Sequence, residues 1–420
     1  MTGKNQTAWK QLDDKYGITQ VVESDKVFTL DVEQIREFRE PRLLTKVDSR
    51  ATQPEFLTEN GLGILPLSRS RFLIAHINTF ADVPNELGVA PVQVTVPDLV
   101  GLTLGPKSET TSVLRALHSG ALNHFLGEEL QITTFGRMGT GTFQFGVDGI
   151  PHPVEVNGAQ IEIDAGLECG RSLCLVEAKN RIPDTFNLRQ IYYPYRTWGN
   201  LSKRTHEIRN VFMGVEGDEL LLLEYAFEDP KVMTSSKVIK SERYQLMNSR
   251  TRKFNVRRAT ESPLIPVEAT DVPLPQADSA SRILTIINLA NDLGGLISKD
   301  DVVDSEMFDV RQAGYYPNAA VYLGYFDRMS GGFFKLSQLG SKISQRSTSE
   351  QIEDIKWRLC GEEFTRTAIF ALLGREDART AVERAIRESQ RWGTLSRSTI
   401  ERRAQTFISW AKWVLRGSDF

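Results

Sequence analysis

Three cysteines in 420 residues, Cys169, Cys174 and Cys360, are too few and too unevenly spaced for a disulfide framework or a zinc site. They read as free thiols of a reducing compartment. No apolar run approaches the length of a bilayer span, and the opening MTGKNQTAWKQ lacks the core of a signal peptide. The expectation is a cytoplasmic chain with no membrane partner. Histidine is scarce as well. His76, His118, His124, His152 and His206 fall in no HExxH or HNH-type spacing. There is no GxSxG elbow, no Walker motif and no methyltransferase cofactor loop, which argues against helicases, kinases and nucleotide-driven translocating subunits. An excess of charge is also missing: 51 Lys and Arg face 54 Asp and Glu, a net charge of -3. That excludes a protein that simply coats nucleic acid, but not an enzyme whose basic residues cluster locally.

What is present is ordinary for a globular chain, with 40% hydrophobic and 25% charged residues and room for two to four domains. VFTLDVEQIREF predicts a strand and a short helix, and SRFLIAHINTF and VAPVQVTVPDL predict extended runs. KSETTSVLRALHSGALNHFLG predicts one helix over 107–127. Its apolar face is Val113, Leu114, Leu117, Ala121, Leu122 and Phe125, and Ser108 caps its start. The glycine-spaced GRMGTGTFQFGVDG reads as a hairpin or loop, since no lysine and no helix follow it as a phosphate-binding loop requires.

VEVNGAQIEIDAG and SLCLVEAKN are strand-like. In the first, Gln160, Glu162 and Asp164 alternate with Ile161, Ile163 and Ala165. DTFNLRQIYYPYRTW predicts a helix that Pro194 kinks or ends. IRNVFMGVEG and ELLLLEYAFE add two strands. Lys237 to Arg258 is rich in Lys and Arg, and ESPLIPVEATDVPLPQADS reads as a linker.

After the linker the period is helical. SRILTIINLANDL ends at Gly294-Gly295, KDDVVDSEM forms a second helix, and PNAAVYLGYFDRM a third with proline in its first turn. GGFFKLSQLG reads as a two-stranded wing. In LSRSTIERRAQTFISWAKWVLRG, Ser398 and Glu401 have capping-box spacing, and Ile400, Ala404, Phe407, Ile408 and Ala411 face a core. Trp392, Trp410 and Trp413 are core candidates rather than stacking platforms. From Arg379 onward nine Arg or Lys stand against four Asp or Glu.

Phosphodiester hydrolysis needs carboxylates to hold a divalent cation and a group to orient the attacking water. Asp164 ends one predicted strand, and Glu177 and Lys179 lie two apart on the next, so their side chains leave the same face. If the strands pair as a hairpin, the three converge. Oxygen ligands of this kind suit magnesium. Glu162 shares a face with Asp164 and is the alternative ligand. A salt-bridged strand pair is the structural alternative for the whole set, and Glu168 reads as a turn residue.

IEID ending in Asp164, then LCLV and Glu177-Ala178-Lys179, followed by Arg189-Gln190, resembles the PD-(D/E)XK nuclease superfamily. The resemblance implies magnesium ligation by Asp164 and Glu177, water positioning by Lys179, a role for Gln190, and Glu109 as a carboxylate from the preceding helix. Pro194 stands where the RecB-like branch places a tyrosine. RQAGYYPNAAVYLGYF and STIERRAQTFISWAKWV resemble the C-terminal winged-helix modules of type II restriction endonucleases. The implied fold is an α/β, mixed-sheet nuclease core with additional, mostly α-helical winged-helix or helix-turn-helix domains. The implied organisation is an N-terminal α/β elaboration over 1–105 with optional DNA contact, the core over 106–260, the linker over 261–279, a winged helix over 280–345 and a helical domain over 346–420.

The expected function is sequence-specific, magnesium-dependent cleavage of double-stranded DNA by a type II site-specific deoxyribonuclease. Phage defence is the expected setting, with a homodimer on DNA and a separate cognate methyltransferase as partner. Arg252, Lys253, Arg257, Arg311, Arg397, Arg402, Arg403 and Lys412 are the candidate DNA-binding residues. A solvated basic face is the bland account of the same residues. Two other classes stay open: a non-catalytic winged-helix regulator, and a structure-specific or repair nuclease.

Overall fold

The computed structural model describes residues 2–84, 90–103, 108–170, 172–202, 206–248, 254–267, 272–304, 312–416 and 418–419. Arg252, Lys253 and Arg311 lie outside the described residues. The chain forms two compact units. The first comprises Met1–Pro97, Pro106–Val215 and Glu219–Met247, and the second Asp98–Gly105, Glu216–Asp218 and Asn248–Phe420.

The first unit opens with helices Thr2–Tyr16 and Ile18–Asp25, then β1 (Val27–Asp31), β2 (Gly63–Pro66) and β3 (Arg71–Ala75), an antiparallel sheet in the order β1-β3-β2. Trp9, Leu12, Ile18, Leu57 and Ile74 fill the core beneath it, with Trp9 stacked on Phe56. The strand-then-helix reading of 27–36 agrees with β1 and helix Val32–Arg36.

The remaining strands of this unit are β4 (Phe80–Asp82), β5 (Val92–Val96), β6 (Gln131–Gly139), β7 (Thr142–Phe145), β8 (Val154–Asn157), β9 (Gln160–Cys169), β10 (Ser172–Lys179), β11 (Thr185–Asn187), β12 (Glu207–Glu216), β13 (Glu219–Phe227) and β14 (Ser236–Asn248). Seven form one mixed sheet in the order β5-β14-β13-β12-β10-β9-β6. β9 and β10 form an antiparallel hairpin, whereas β10 and β12 run parallel. Parallel neighbours need a crossover. The helix Arg189–Leu201 supplies it, packing Trp198 against Ile163, Leu173 and Leu175. Its first turns bury Ile191, Tyr192 and Tyr193 in the larger cluster with Phe143, Phe145 and Phe212.

Several sequence expectations need correction here. The helix expected over 107–127 is two, Glu109–His118 and Ala121–Leu126. Gly120 between them has φ 79°, a left-handed conformation that ends the first helix. The glycine-spaced stretch is neither hairpin nor loop, because β6 pairs with β9 while β7 pairs with β8. Pro194 sits inside a continuous helix. The chain around it is held by packing, and only the bond from residue 194 to the Gln190 carbonyl is forfeited. The stretch rich in Lys and Arg from Lys237 onward forms a strand, β14, paired with β13, and its Tyr244 and Leu246 are buried.

In the second unit, helix Ser281–Asp292 leads to β15 (Leu296–Ile297), helices Lys299–Asp304 and Gln312–Tyr322, then β16 (Phe326–Arg328) and β17 (Phe334–Leu336), a sheet in the order β15-β17-β16. The expected two-stranded wing within GGFFKLSQLG is corrected: β17 pairs with the preceding β16, and the second half of that stretch opens helix Gln338–Ser344 at the Ser337 cap. Pro317 lies inside helix Gln312–Tyr322 rather than in its first turn. Helices Thr348–Gly361, Glu363–Gly374, Ala378–Glu388 and Arg397–Leu415 complete the unit. The last is capped by Ser396, accepting from Thr399 N at 3.4 Å. Ser398 is already helical and Glu401 pairs with Arg397 at 2.9 Å, so the expected capping box does not form. The proline-spaced segment is no loose tether. Val272, Leu274 and Ala277 are buried, and Trp410 donates to the Ala277 carbonyl at 2.7 Å. No helix among the described residues is long and apolar enough to cross a membrane.

Candidate active site

The β9–β10 hairpin is paired up to the rung Val176–Ala165 and opens beyond it. Alternate burial along β9 holds from Gln160 to Ile163 and is lost at Ala165, where three consecutive residues are buried. β6 is irregular opposite the same point, between Thr134 and Gly136. At this break the Asp164 carboxylate replaces a strand partner, its Oδ2 accepting the Ala178 N–H at 2.7 Å. Glu177 and Lys179 follow Leu173 and Leu175 on the face covered by the Arg189–Leu201 helix.

Four further contacts assemble the cluster. Lys179 Nζ lies 2.6 Å from Glu177 Oε1 and 3.7 Å from Glu109 Oε1. Gln190 Nε2 donates to the same Glu177 oxygen at 2.5 Å. Glu109 opens its helix directly after the Ser108 cap, and Ser112 of that helix donates to Asn180 Oδ1 at 2.7 Å. Thus Glu109, Asp164, Glu177, Lys179 and Gln190 stand at one end of the sheet.

The electrostatics follow from burial. Glu177 is 8% exposed, and burial pushes its carboxyl up to about 8, with Asp164 adding to the shift and Lys179 opposing it. Burial likewise raises Asp164 and Glu109. Lys179 is the reverse case. Burial disfavours its charge, but the carboxylates of Glu177, Glu109 and Asp48 outweigh that and hold it as an ammonium.

Three carboxyl groups crowd one ammonium and each is raised, so the cluster takes up protons for want of further positive charge. Gln190 Oε1 beside them is buried without a hydrogen-bond partner. A hydrated divalent cation fits both deficits, since magnesium takes one or two carboxylates and keeps several waters. Among the described residues no group of three or more His, Cys, Asp or Glu side chains is close enough to hold a metal by itself.

Other candidates lie elsewhere. Glu162 is exposed and paired with Arg137 at 3.1 Å, which leaves Asp164 as the carboxylate of the cluster. Glu168 is a strand residue rather than a turn residue, and it accepts from Thr133 Oγ1 at 2.7 Å. Tyr192 and Tyr193 turn into the core and donate to the carbonyls of Pro230 and Pro66. In the second unit Arg257 and Arg397 are exposed and paired with Glu261 and Glu401. Arg402 and Lys412 are exposed. Arg403 is half-buried and donates to Gln276 Oε1 at 2.7 Å, which ties it to the protein rather than to solvent. Sequence reasoning missed Ser112 and Asn180, close as they are to Glu109 and Lys179, and also Asp48 and Lys46, which no local spacing connects to the motif.

Three family models match the chain. Each is described as a domain of unknown function: DUF6996 over residues 6–74, DUF6997 over residues 75–245 and DUF7226 over residues 282–419. No curated protein and no solved structure matches. The cluster of Glu109, Asp164, Glu177, Lys179 and Gln190 lies wholly within the stretch similar to DUF6997.

Proposed function

We propose that this chain is a magnesium-dependent, sequence-specific DNA endonuclease of the type II restriction class, on a PD-(D/E)XK core. The observation that carries the reading is the convergence of Asp164, Glu177, Lys179 and Gln190 where β9 and β10 part. Asp164 and Glu177 would hold magnesium. When bound, the ion supplies Lewis acidity toward the scissile phosphate. Lys179, kept charged by its carboxylate neighbours, donates to the attacking water and meets negative charge developing on the phosphate. It is a poor proton acceptor in this setting. Gln190 fixes Glu177, and Glu109 holds Lys179 from the other side.

In the second unit, the order helix, strand, helix, helix, strand, strand from Ser281 to Leu336 supports a winged-helix module for DNA recognition. Outside that module, Arg257, Arg397, Arg402 and Lys412 are the second unit's candidate phosphate contacts. Cutting both strands requires two such centres, hence a homodimer on DNA, and a separate methyltransferase would protect host sites.

The test is incubation of purified protein with unmethylated phage DNA and magnesium. Discrete fragments that vanish with EDTA are the expected outcome. A smear or nicks would move the protein to the repair or structure-specific nucleases. Intact DNA across several metals and methylation states would leave a non-catalytic winged-helix regulator.

A further inference from the structure

A second group of charges reaches the same centre from the stretch similar to DUF6996. Asp48 is 13% exposed, with Lys46 Nζ at 3.5 Å from one carboxylate oxygen and Arg189 Nη2 at 3.3 Å from the other. The backbone around it is pinned. Asn187, 1% exposed, donates its N–H to the Asp48 carbonyl at 2.8 Å and its side-chain amide to the Val47 carbonyl at 2.9 Å. Arg50 N donates to Thr185 Oγ1 at 2.9 Å, and Arg181 to Ser49 Oγ at 3.4 Å. Residues 47–50 are therefore locked to the turn that opens the Arg189–Leu201 helix. Asp48 lies in electrostatic reach of Lys179 and Glu109, and Lys46 in reach of Glu109.

A buried centre rich in carboxylates repels a phosphodiester unless cations meet the substrate beside it. Lys179 is only 17% exposed and is committed to Glu177. Arg189 and Lys46 are 21% and 40% exposed. The guanidinium has five donors in a fork that matches phosphate, and the contact to Asp48 is made through one nitrogen.

We infer that the N-terminal stretch completes the active site: Asp48 is a positioning residue that fixes Arg189 and Lys46 as cations for a DNA backbone phosphate beside Asp164 and Glu177. This rests on the nuclease reading. It makes residues 6–74 part of the centre, not an accessory.

The experiment uses the full chain. Binding of a short DNA duplex is followed by fluorescence anisotropy with EDTA across a range of salt, and magnesium-dependent cleavage is measured in parallel. Arg189→Ala and Lys46→Ala should each lower the slope of log K against log salt by about one, the signature of a lost phosphate contact. Arg189→Lys should restore that slope. Asp48→Asn is the decisive variant. Removing a negative charge alone tightens binding to a polyanion, so weakened binding, with cleavage down about 10–100-fold as for other supporting residues, reads as lost positioning. Tighter binding with intact cleavage, or unchanged slopes in Arg189→Ala and Lys46→Ala while the wild type cuts DNA, overturns this inference alone. A wild type that binds DNA without cutting it overturns the nuclease reading and this inference with it.

Discussion

Gln190 donates its side-chain amide to Glu177 Oε1 at 2.5 Å, although the two residues are 13 apart in sequence, on a strand and on the crossover helix behind it. The same oxygen receives Lys179, so one carboxylate is held from two directions. Supporting hydrogen bonds of this kind orient a metal ligand, and their loss typically costs about 10–100-fold in metal affinity or activity. Gln190→Ala should therefore raise the magnesium concentration for half-maximal cleavage, with saturating metal recovering much of the rate. A variant whose rate falls without any change in magnesium dependence would show that Gln190 acts on something other than the ligand.

Asp164 serves two purposes that one substitution separates. Its Oδ2 accepts the Ala178 N–H, which an asparagine oxygen also does, while its charge is what a cation requires. Asp164→Asn should keep the thermal midpoint of the wild type and DNA binding in EDTA, yet lose cleavage by a factor on the order of 100–1,000, the usual loss for a transition-state charge partner. Lys179→Met should lose activity to a similar extent. Retained cleavage in both variants would remove the site from these residues.

Burial of Glu177 links stability to pH. Its carboxyl is raised from the ordinary 4.5 to about 8, so the folded metal-free protein holds this proton more tightly than the unfolded chain. That contribution is fully present below pH 4.5 and is lost as pH rises through 8. Lys179, raised above 10.5, stays protonated across this window and adds no slope. In EDTA the melting temperature should carry a component that falls between pH 5 and pH 8. Glu177→Gln should remove that component, and magnesium should oppose it in the wild type, because a ligand of the folded state stabilises it. A melting profile in EDTA that is the same for Glu177→Gln and wild type would contradict the raised carboxyl.

What the sequence made legible was local. Two strands with Asp164 on one and Glu177 and Lys179 two apart on the next follow from a period of two, and the fold pairs them as a hairpin. The Ser108 cap and the Ser281–Asp292 helix were equally readable, because capping and 3.6-residue periodicity act within a few turns. The rest depends on tertiary context. Pro194 is tolerated inside a helix because that helix is buried against the sheet, and Ser396 takes the cap position that Ser398 and Glu401 suggested from spacing alone. Asp48 lies 141 residues from Arg189 in the chain, and no pattern in KVDSR announces the contact. A reading of periodicity cannot find a partner that only folding brings near.

The terminal helix offers a contrast between neighbours. Arg402 is exposed, its Nε donating to the Ser398 carbonyl of its own helix at 3.3 Å. Arg403 is half-buried and bonded to Gln276, and burial lowers its guanidinium pKa. If this helix lies along DNA, Arg402→Ala should weaken binding uniformly across sequences and reduce the salt slope by about one, with stability unchanged. Arg403→Ala should instead lower stability by about 1–3 kcal/mol, since it leaves the Gln276 acceptor without this partner and removes packed stem. Urea denaturation and salt-dependent anisotropy on the two variants separate these effects. Equal salt slopes for Arg402→Ala and wild type would take the helix off the DNA, whatever Arg403→Ala does to stability.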